Sequence, residues 1–228
     1  MLKISNISQI QIHTDEWRQA RLAKFTSSMM FTLMGDKMLT GDGVAYLYER
    51  VGEEMTGIPA SYYVDTPDTR WGLLHENDAI RKFGHHMGVE FLVTQKLITE
   101  PGSRFGSTPD ALWVKQKYTD RYEVENAEIK CYPSYTHFIK CVLCETPAEL
   151  KAVDKKLYWQ VLDQMDNCDC MVGYAVLYHP DFKAGGFKII KFRKLELMED
   201  FKLLAERKRL AEQKFNELRD RLLTLKIA

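Results

Sequence analysis

The chain has no run of eighteen apolar residues, no internal repeat, no low-complexity tract and no Pro/Gly/Ser-rich linker. The first absence excludes a transmembrane helix, which needs about 20 apolar residues. The others exclude solenoids and tethered modules, and point to one domain spanning residues 1–228 with a sizeable core. The opening Met1-Leu2-Lys3-Ile4-Ser5-Asn6 lacks the basic, then apolar, then small pattern of a secretory signal, so a cytoplasmic location is expected. The five cysteines (131, 141, 144, 168, 170) are odd in number and exclude a disulfide framework. Cys141-x-x-Cys144 and Cys168-x-Cys170 suit a helix and a strand border better than a four-thiolate metal site. Charge of one sign is also missing. There are 32 basic and 32 acidic residues, so any nucleic-acid contact must use a local positive surface. Candidates are Lys183, Lys188, Lys191, Arg193, Lys194 and the Arg207-Lys208-Arg209 cluster, each otherwise a solvated surface charge.

What is present is an ordinary globular composition, 45% hydrophobic and 28% charged. Residues 15–31 read as an opening helix turning into another, with a break at Gly41-Asp42-Gly43. Helices are expected over 44–56 (Leu47, Val51, Met55), 71–83 (Leu73, Leu74, Ile80, Phe83, with Gly84 as the stop), 134–143 and 147–166. Strands are expected over 96–99, 111–115, 122–131, 171–179 and 187–192. The class is α/β or α+β with a central mixed sheet flanked by helices. The last 33 residues read as one long helix, about 195–226, closing a core of about 16–193. Leu197, Phe201, Leu204, Lys208, Ala211, Phe215, Leu218, Leu222 and Leu225 form a heptad seam with one lysine interruption. That seam packs on its own domain or on a subunit or partner.

The densest chemistry lies in Pro109-Asp110, seventeen residues, then Glu128-Ile129-Lys130. Asp110 opens one expected strand and Glu128-x-Lys130 ends its neighbour. On a strand Glu128 and Lys130 share a face and Ile129 takes the other. Adjacent strands are about 4.8 Å apart, so two carboxylates reach one divalent cation through hard oxygens, with an ammonium beside them. The plain alternative is a solvated hairpin face. Upstream, Glu76 sits near the apolar margin of its helix, either exposed or turned toward the same place.

Trp71-Gly72…Glu76-Asn77-Asp78-Ala79, Ser107-Thr108-Pro109-Asp110 and Glu128-Ile129-Lys130-Cys131-Tyr132-Pro133, taken in order, resemble the phage lambda exonuclease family. These are the viral-recombinase-type alkaline exonucleases of the PD-(D/E)xK superfamily. Glu16-Trp17…Arg21 with Thr26-Ser27-Ser28, and Tyr158-Trp159-Gln160…Gln164, extend the likeness over about 16–180. The resemblance implies a restriction-endonuclease-like core in which Asp110, Glu128 and the Ile129 carbonyl bind metal. Lys130 positions the attacking water, Glu76 assists a second metal, and Gln160 lies near the scissile group, with Gln164 an open alternative. Arg21, Ser28 and Thr108 resemble the grip on a 5′ phosphate. Two Mg²⁺ ions, replaceable by Mn²⁺, are implied as cofactors. Double-stranded DNA ends are the implied substrate, digested from 5′ ends to leave 3′ single strands. A homotrimeric ring, a single-strand annealing partner and a phage or prophage setting are implied as well. Residues 29–66 match loosely, and the duplex-splitting element is not placed.

From the residues alone, Arg21 can fork a terminal phosphate bidentately or pair with Asp15 or Glu16. An endonuclease of the same superfamily, a non-catalytic DNA-binding protein and a cysteine-metal module are the competing readings.

Overall fold

A computed structural model describes all residues except 11, 13, 36–38, 61–65, 92–94 and 226–228. Element order is β1 (Leu2–Lys3), α1 (Asp15–Ala20), β2 (Phe25–Thr26), α2 (Gly41–Thr56), α3 (Pro67–Met87), β3 (Phe105–Gly106), β4 (Ala111–Lys117), β5 (Arg121–Lys130), α4 (Tyr135–Val142), α5 (Pro147–Val153), α6 (Lys155–Asn167), β6 (Val172–Tyr178), β7 (Phe187–Arg193) and α7 (Met198–Thr224). The main sheet runs β1-β5-β6-β7, with β4 on the other edge of β5. It is mixed, as expected. β5 and β6 are parallel, linked through α4, α5 and α6, while β4–β5 and β6–β7 are antiparallel. A small parallel pair, β2–β3, lies apart.

Strand alternation sorts the core into two layers. On one face Ala127, Ile129, Trp113 and Val176 pack under Ala79, Ile80 and Phe83 of α3. On the other, Leu112, Val124, Ala175 and Leu177 meet α6, α2 and α7. Ile129 is therefore a core residue, and Glu128 and Asn126 face α6.

Several element boundaries differ from the expectation. The opening region is a short α1, the β2 strand and a 3-10 segment over Ser27–Leu33, rather than two helices. Gly41-Asp42-Gly43 is a helix start, not a break. Thr40 caps it, and a Cβ at Gly43 would sit 2.3 Å from the Thr32 carbonyl oxygen. α3 runs through Gly84 and stops at Gly88, whose φ of +64° suits glycine. Leu73, Leu74 and Met55 are exposed rather than core. Residues 96–99 form no ladder; Ile98 alone bridges to Ile7 and Ser107. The single helix expected over 147–166 is broken at Asp154, which ends α5 and caps α6 by accepting the Leu157 N–H at 2.9 Å. Asp is a preferred N-cap residue and its capping N–H lies only three residues on, but the continuous helical pattern over 147–166 masks that local signal.

α7 packs on its own chain through Phe201, Leu204, Ala211 and Phe215, while Leu222 and Leu225 are exposed. The expected helix end at 226 lies outside the described residues. The lysine interrupting the seam is explained: Lys208 reaches Asp163 at 2.6 Å and Asp166 at 2.7 Å. Arg207 is buried and donates to the Gly35 carbonyl at 2.9 and 3.0 Å. These two belong to the fold rather than to a basic surface, which leaves Arg209 exposed from that cluster. Of the other candidates, Lys188 pairs with Glu145 at 2.6 Å and Arg193 with Glu196 at 3.5 Å. No helix among the described residues is long and apolar enough to cross a membrane.

Candidate active site

The β4–β5 ladder ends at Ala111–Ala127. Beyond it the β5 edge turns to a side chain: Asp110 Oδ2 accepts the Ile129 N–H at 2.7 Å. In an extended strand a residue's N–H and C=O share an edge, so the Ile129 carbonyl looks toward the Asp110 side. Glu128 is buried on the face opposite the Ile129 side chain, against α6. One of its oxygens accepts from Lys130 Nζ and from Gln160 Nε2. The other accepts from Gln164 Nε2 at 2.5 Å. Gln164 in turn accepts from Asn126 Nδ2 at 3.2 Å. Gln160 and Gln164 are one helical turn apart on α6, so both glutamines hold the same carboxylate. Gln160 Oε1 is buried without a hydrogen-bond partner.

Glu76 arrives from α3, held by Gln95 Nε2. Gln95 is itself fixed by donating its N–H to the Pro109 carbonyl at 3.0 Å. The electrostatics knit these groups into one cluster. Burial pushes the Asp110 carboxyl well up, with the Glu128 and Glu76 charges adding to it. Burial, then Glu128, raises Glu76. Burial alone would lower Lys130, but Glu128, Asp110 and Glu76 more than offset it and hold the ammonium above its ordinary value. Lys156, one turn before Gln160, is lowered by burial and by Lys130. Gln95, Gln164, Asn126 and Lys156 were thus invisible or ambiguous in the sequence, because glutamine, asparagine and lysine carry no pattern until a carboxylate is placed beside them. The three carboxylates do not close on one another as tightly as a second group does. Among the described residues, the trio whose ligand atoms all lie within 4.8 Å is His137, Cys141 and Asp154.

A cavity of about 530 Å³ opens between α1, α2 and the 3-10 segment, with Leu73 of α3 on its wall. Arg21, Ser28, Thr26, Tyr46 and Arg50 line it. Arg21 does not pair with Asp15 or Glu16. Its guanidinium lies 4.1 Å over Trp17, its Nε is buried without a hydrogen-bond partner among the described residues, and burial lowers its pKa. Arg50 is anchored to Glu53 at 2.8 Å and lies 4.8 Å from the Tyr46 ring. Arg18 and the carboxylates Glu49 and Glu53 line the cavity too; Arg50 pairs with both glutamates and Arg18 with Asp15, so Arg21, with the three hydroxyls, is the guanidinium placed to meet an anion. Thr108 does not line the cavity; it precedes Asp110 by two residues. All five cysteines are free and buried, and among the described residues no group of four thiols converges.

The YqaJ-like viral recombinase domain matches residues 16–170. No curated protein is significantly similar to the chain in sequence. Among solved structures, the alkaline exonuclease LHK-Exo of Laribacter hongkongensis superposes with a TM-score of 0.67 at 19% identity, covering 93% of this chain and 100% of that one. The same enzyme in complex with dAMP gives 0.66 at 20% identity over the same shares. A phage-related exonuclease from Haemophilus somnus 129PT gives 0.64 at 15% identity, covering 87% of this chain and 96% of that one. The fold expected from the sequence is thereby borne out.

Proposed function

This chain belongs to the YqaJ-like viral recombinase domain family, and from that footing we propose that it is a Mg²⁺-dependent exonuclease digesting linear double-stranded DNA from 5′ ends. The coarser statement, a nuclease of the viral recombinase and alkaline exonuclease type, follows from the family and fold. The finer one is supported by one arrangement at the end of β5: Asp110 Oδ2 accepts the Ile129 N–H, Lys130 and both α6 glutamines bond Glu128, and Glu76 comes in from α3 on Gln95.

The donor set fits magnesium. It offers hard oxygens only, from Asp110, Glu128, Glu76 and the Ile129 carbonyl. Burial and mutual repulsion push two of those carboxyls up, which is the state a divalent cation would relieve. Two Mg²⁺ or Mn²⁺ ions, when bound, would supply an activated water and stabilise the leaving oxygen. Lys130 stays charged, so it orients the attacking group and steadies developing negative charge rather than accepting a proton. Gln160 and Gln164 fix the Glu128 carboxylate against rotation, and Gln160 keeps a free carbonyl oxygen. Arg21 and Ser28 would hold a terminal 5′ phosphate in that cavity and so set where digestion starts. Thr108 is assigned to that grip by the family resemblance alone. The family further supports a homotrimeric ring around DNA. It also supports a single-strand annealing partner in recombination and action on phage DNA in the bacterial cytoplasm.

The deciding experiment is digestion of end-labelled linear duplexes with defined termini, alongside a covalently closed circle, with and without chelator. We expect chelator-sensitive loss of the 5′-terminated strand, a surviving 3′-terminated strand and an intact circle. Cleavage of the circle would replace this reading with an endonuclease. Retention of DNA without digestion under Mg²⁺ would replace it with a non-catalytic binder.

A further inference from the structure

Past Lys130 the chain turns through Tyr132 into α4, and here a second group of ligand-type side chains converges. His137 and Cys141 are four residues apart, on one face of α4. Asp154, at the break between α5 and α6, points at them. His137 Nε2 lies 3.0 Å from Asp154 Oδ2 and 3.6 Å from Cys141 Sγ. All three ligand atoms lie within 4.8 Å of one another, and the Tyr132 hydroxyl donates to the same Asp154 oxygen. Zinc bonds of about 2.0–2.3 Å to N, O and S, arranged tetrahedrally, put ligand atoms about 3.4–3.6 Å apart. The His137–Cys141 spacing already sits on that edge, and the 3.0 Å His137–Asp154 hydrogen bond would open by about 0.4 Å to reach it. From these contacts we infer that His137, Cys141 and Asp154 form a site for a single borderline transition-metal ion of the Zn²⁺ or Co²⁺ class, distinct from the carboxylate cluster, with the Tyr132 hydroxyl or water as fourth ligand.

The chemistry of the donors separates the two sites. Nitrogen and thiolate sulfur select zinc and cobalt, whereas the all-oxygen cluster around Asp110 selects magnesium. Asp154 is prepared as a ligand. One of its oxygens meets His137 Nε2 at 3.0 Å and accepts from the Tyr132 hydroxyl. Its other oxygen is fixed as the α6 cap, at 2.9 Å from the Leu157 nitrogen. Cys141 is a free, buried thiol. A metal would take it as thiolate and release that proton, which makes uptake pH-dependent. His137 is partly exposed and provides the way in. A bound ion would pin the β5 exit and α4 to the start of α6, the helix that carries Gln160 and Gln164.

The test uses the full-length protein, stripped with chelator, freed of it, and titrated with Co²⁺ as the probe. The expected result is one equivalent of Co²⁺ with a thiolate-to-cobalt charge-transfer band and intense visible bands of tetrahedral cobalt, bleached by one equivalent of Zn²⁺. About one proton should be released per metal near neutral pH. Cys141→Ser should abolish the charge-transfer band, and His137→Ala, at a partly exposed position that spares the core, should weaken Co²⁺ binding at least about tenfold. Asp110→Asn should leave the spectrum unchanged, since the oxygen cluster contributes no sulfur. The spectrum reads this site whether or not the chain cuts DNA, so failure here and failure of the nuclease reading are separable. No sulfur band in the wild type, a band that survives Cys141→Ser, or a band lost in Asp110→Asn would overturn the assignment.

Discussion

Replacing Lys130 by methionine keeps an unbranched stem one atom shorter and removes the charge. In the wild type the ammonium bonds a Glu128 carboxylate that is 3% exposed, while Lys130 itself is 27% exposed. Removing one partner of a buried pair costs about 3–5 kcal/mol. Glu128 keeps two amide donors from Gln160 and Gln164, each worth about 1.5–3 kcal/mol to a charged group, and Lys130 is a quarter open to water. The cost in chelator therefore falls at about 2–3 kcal/mol, which in a chain of this size lowers the melting temperature by about 5–10 °C. Mg²⁺ should then raise the melting temperature of Lys130→Met more than that of the wild type, because the lysine charge no longer repels the ion. Digestion should nonetheless fall about 10²–10³-fold, the loss seen when a group that stabilises developing charge is removed. The assays are thermal melts by circular dichroism in chelator and in Mg²⁺, and digestion of a labelled linear duplex. A variant that melts within about a degree of wild type in chelator, or that digests at near-wild-type rate, would refute the placement of Lys130 in the cluster.

Further outcomes follow from the same geometry. In chelator, raised Asp110 and Glu76 carboxyls mean that the folded state binds more protons than the unfolded one. Their stabilising contribution is full below the ordinary carboxylate range and is lost as pH rises through the raised folded values. Melting temperature should therefore drop across that window, Asp110→Asn should flatten the drop, and Mg²⁺ should oppose it; a wild-type slope unchanged in Asp110→Asn counts against the coupling. Gln164→Leu leaves Asn126 Nδ2 and one Glu128 oxygen without their partner, at about 1–3 kcal/mol. A double-mutant cycle with Gln160→Leu should be non-additive, and strict additivity would mean that the two amides do not share a carboxylate. Arg21→Ala should reduce the preference for phosphorylated over unphosphorylated 5′ ends, and equal discrimination before and after the change removes Arg21 from that role. Lys208→Met removes the cation 2.6 Å from the fully buried Asp163, which keeps only the Ser27 hydroxyl and the Asn167 amide as donors, and should destabilise the fold by about 2–3 kcal/mol, below the roughly 3–5 kcal/mol of a fully unpaired buried charge, without changing end preference; melts and end-labelled digestion report the two separately.

Much of the site was legible before any fold was known. Asp110, Glu128 and Lys130 stand out because a carboxylate before one strand and a Glu-x-Lys at the end of its neighbour can meet only if the strands pair, and the period of two sets their faces. The α3 glutamate was readable as a candidate from its place at the apolar margin. The partners were not. Gln95 and Arg50 are polar residues on ordinary loop and helix positions, and their roles depend on which groups the chain brings alongside, while Gln164, an open alternative to Gln160 in the sequence, shares the Glu128 carboxylate with it. The break at Asp154 was hidden for a different reason: its cap is local, three residues long, but the helical periodicity runs across it without interruption.

Local order therefore came from the chain itself: strand alternation, helical spacing and the order of the acidic and basic residues determine the layered mixed sheet and the identity of its chemical groups. Tertiary structure alone decided which of those groups share space. It turned Arg207 and Lys208 inward, put two glutamines on one carboxylate, and joined His137 and Cys141 to an aspartate from another element. The reason is physical: propensity and periodicity act over a few residues, whereas electrostatic coupling and desolvation act through distances that only the packed chain defines.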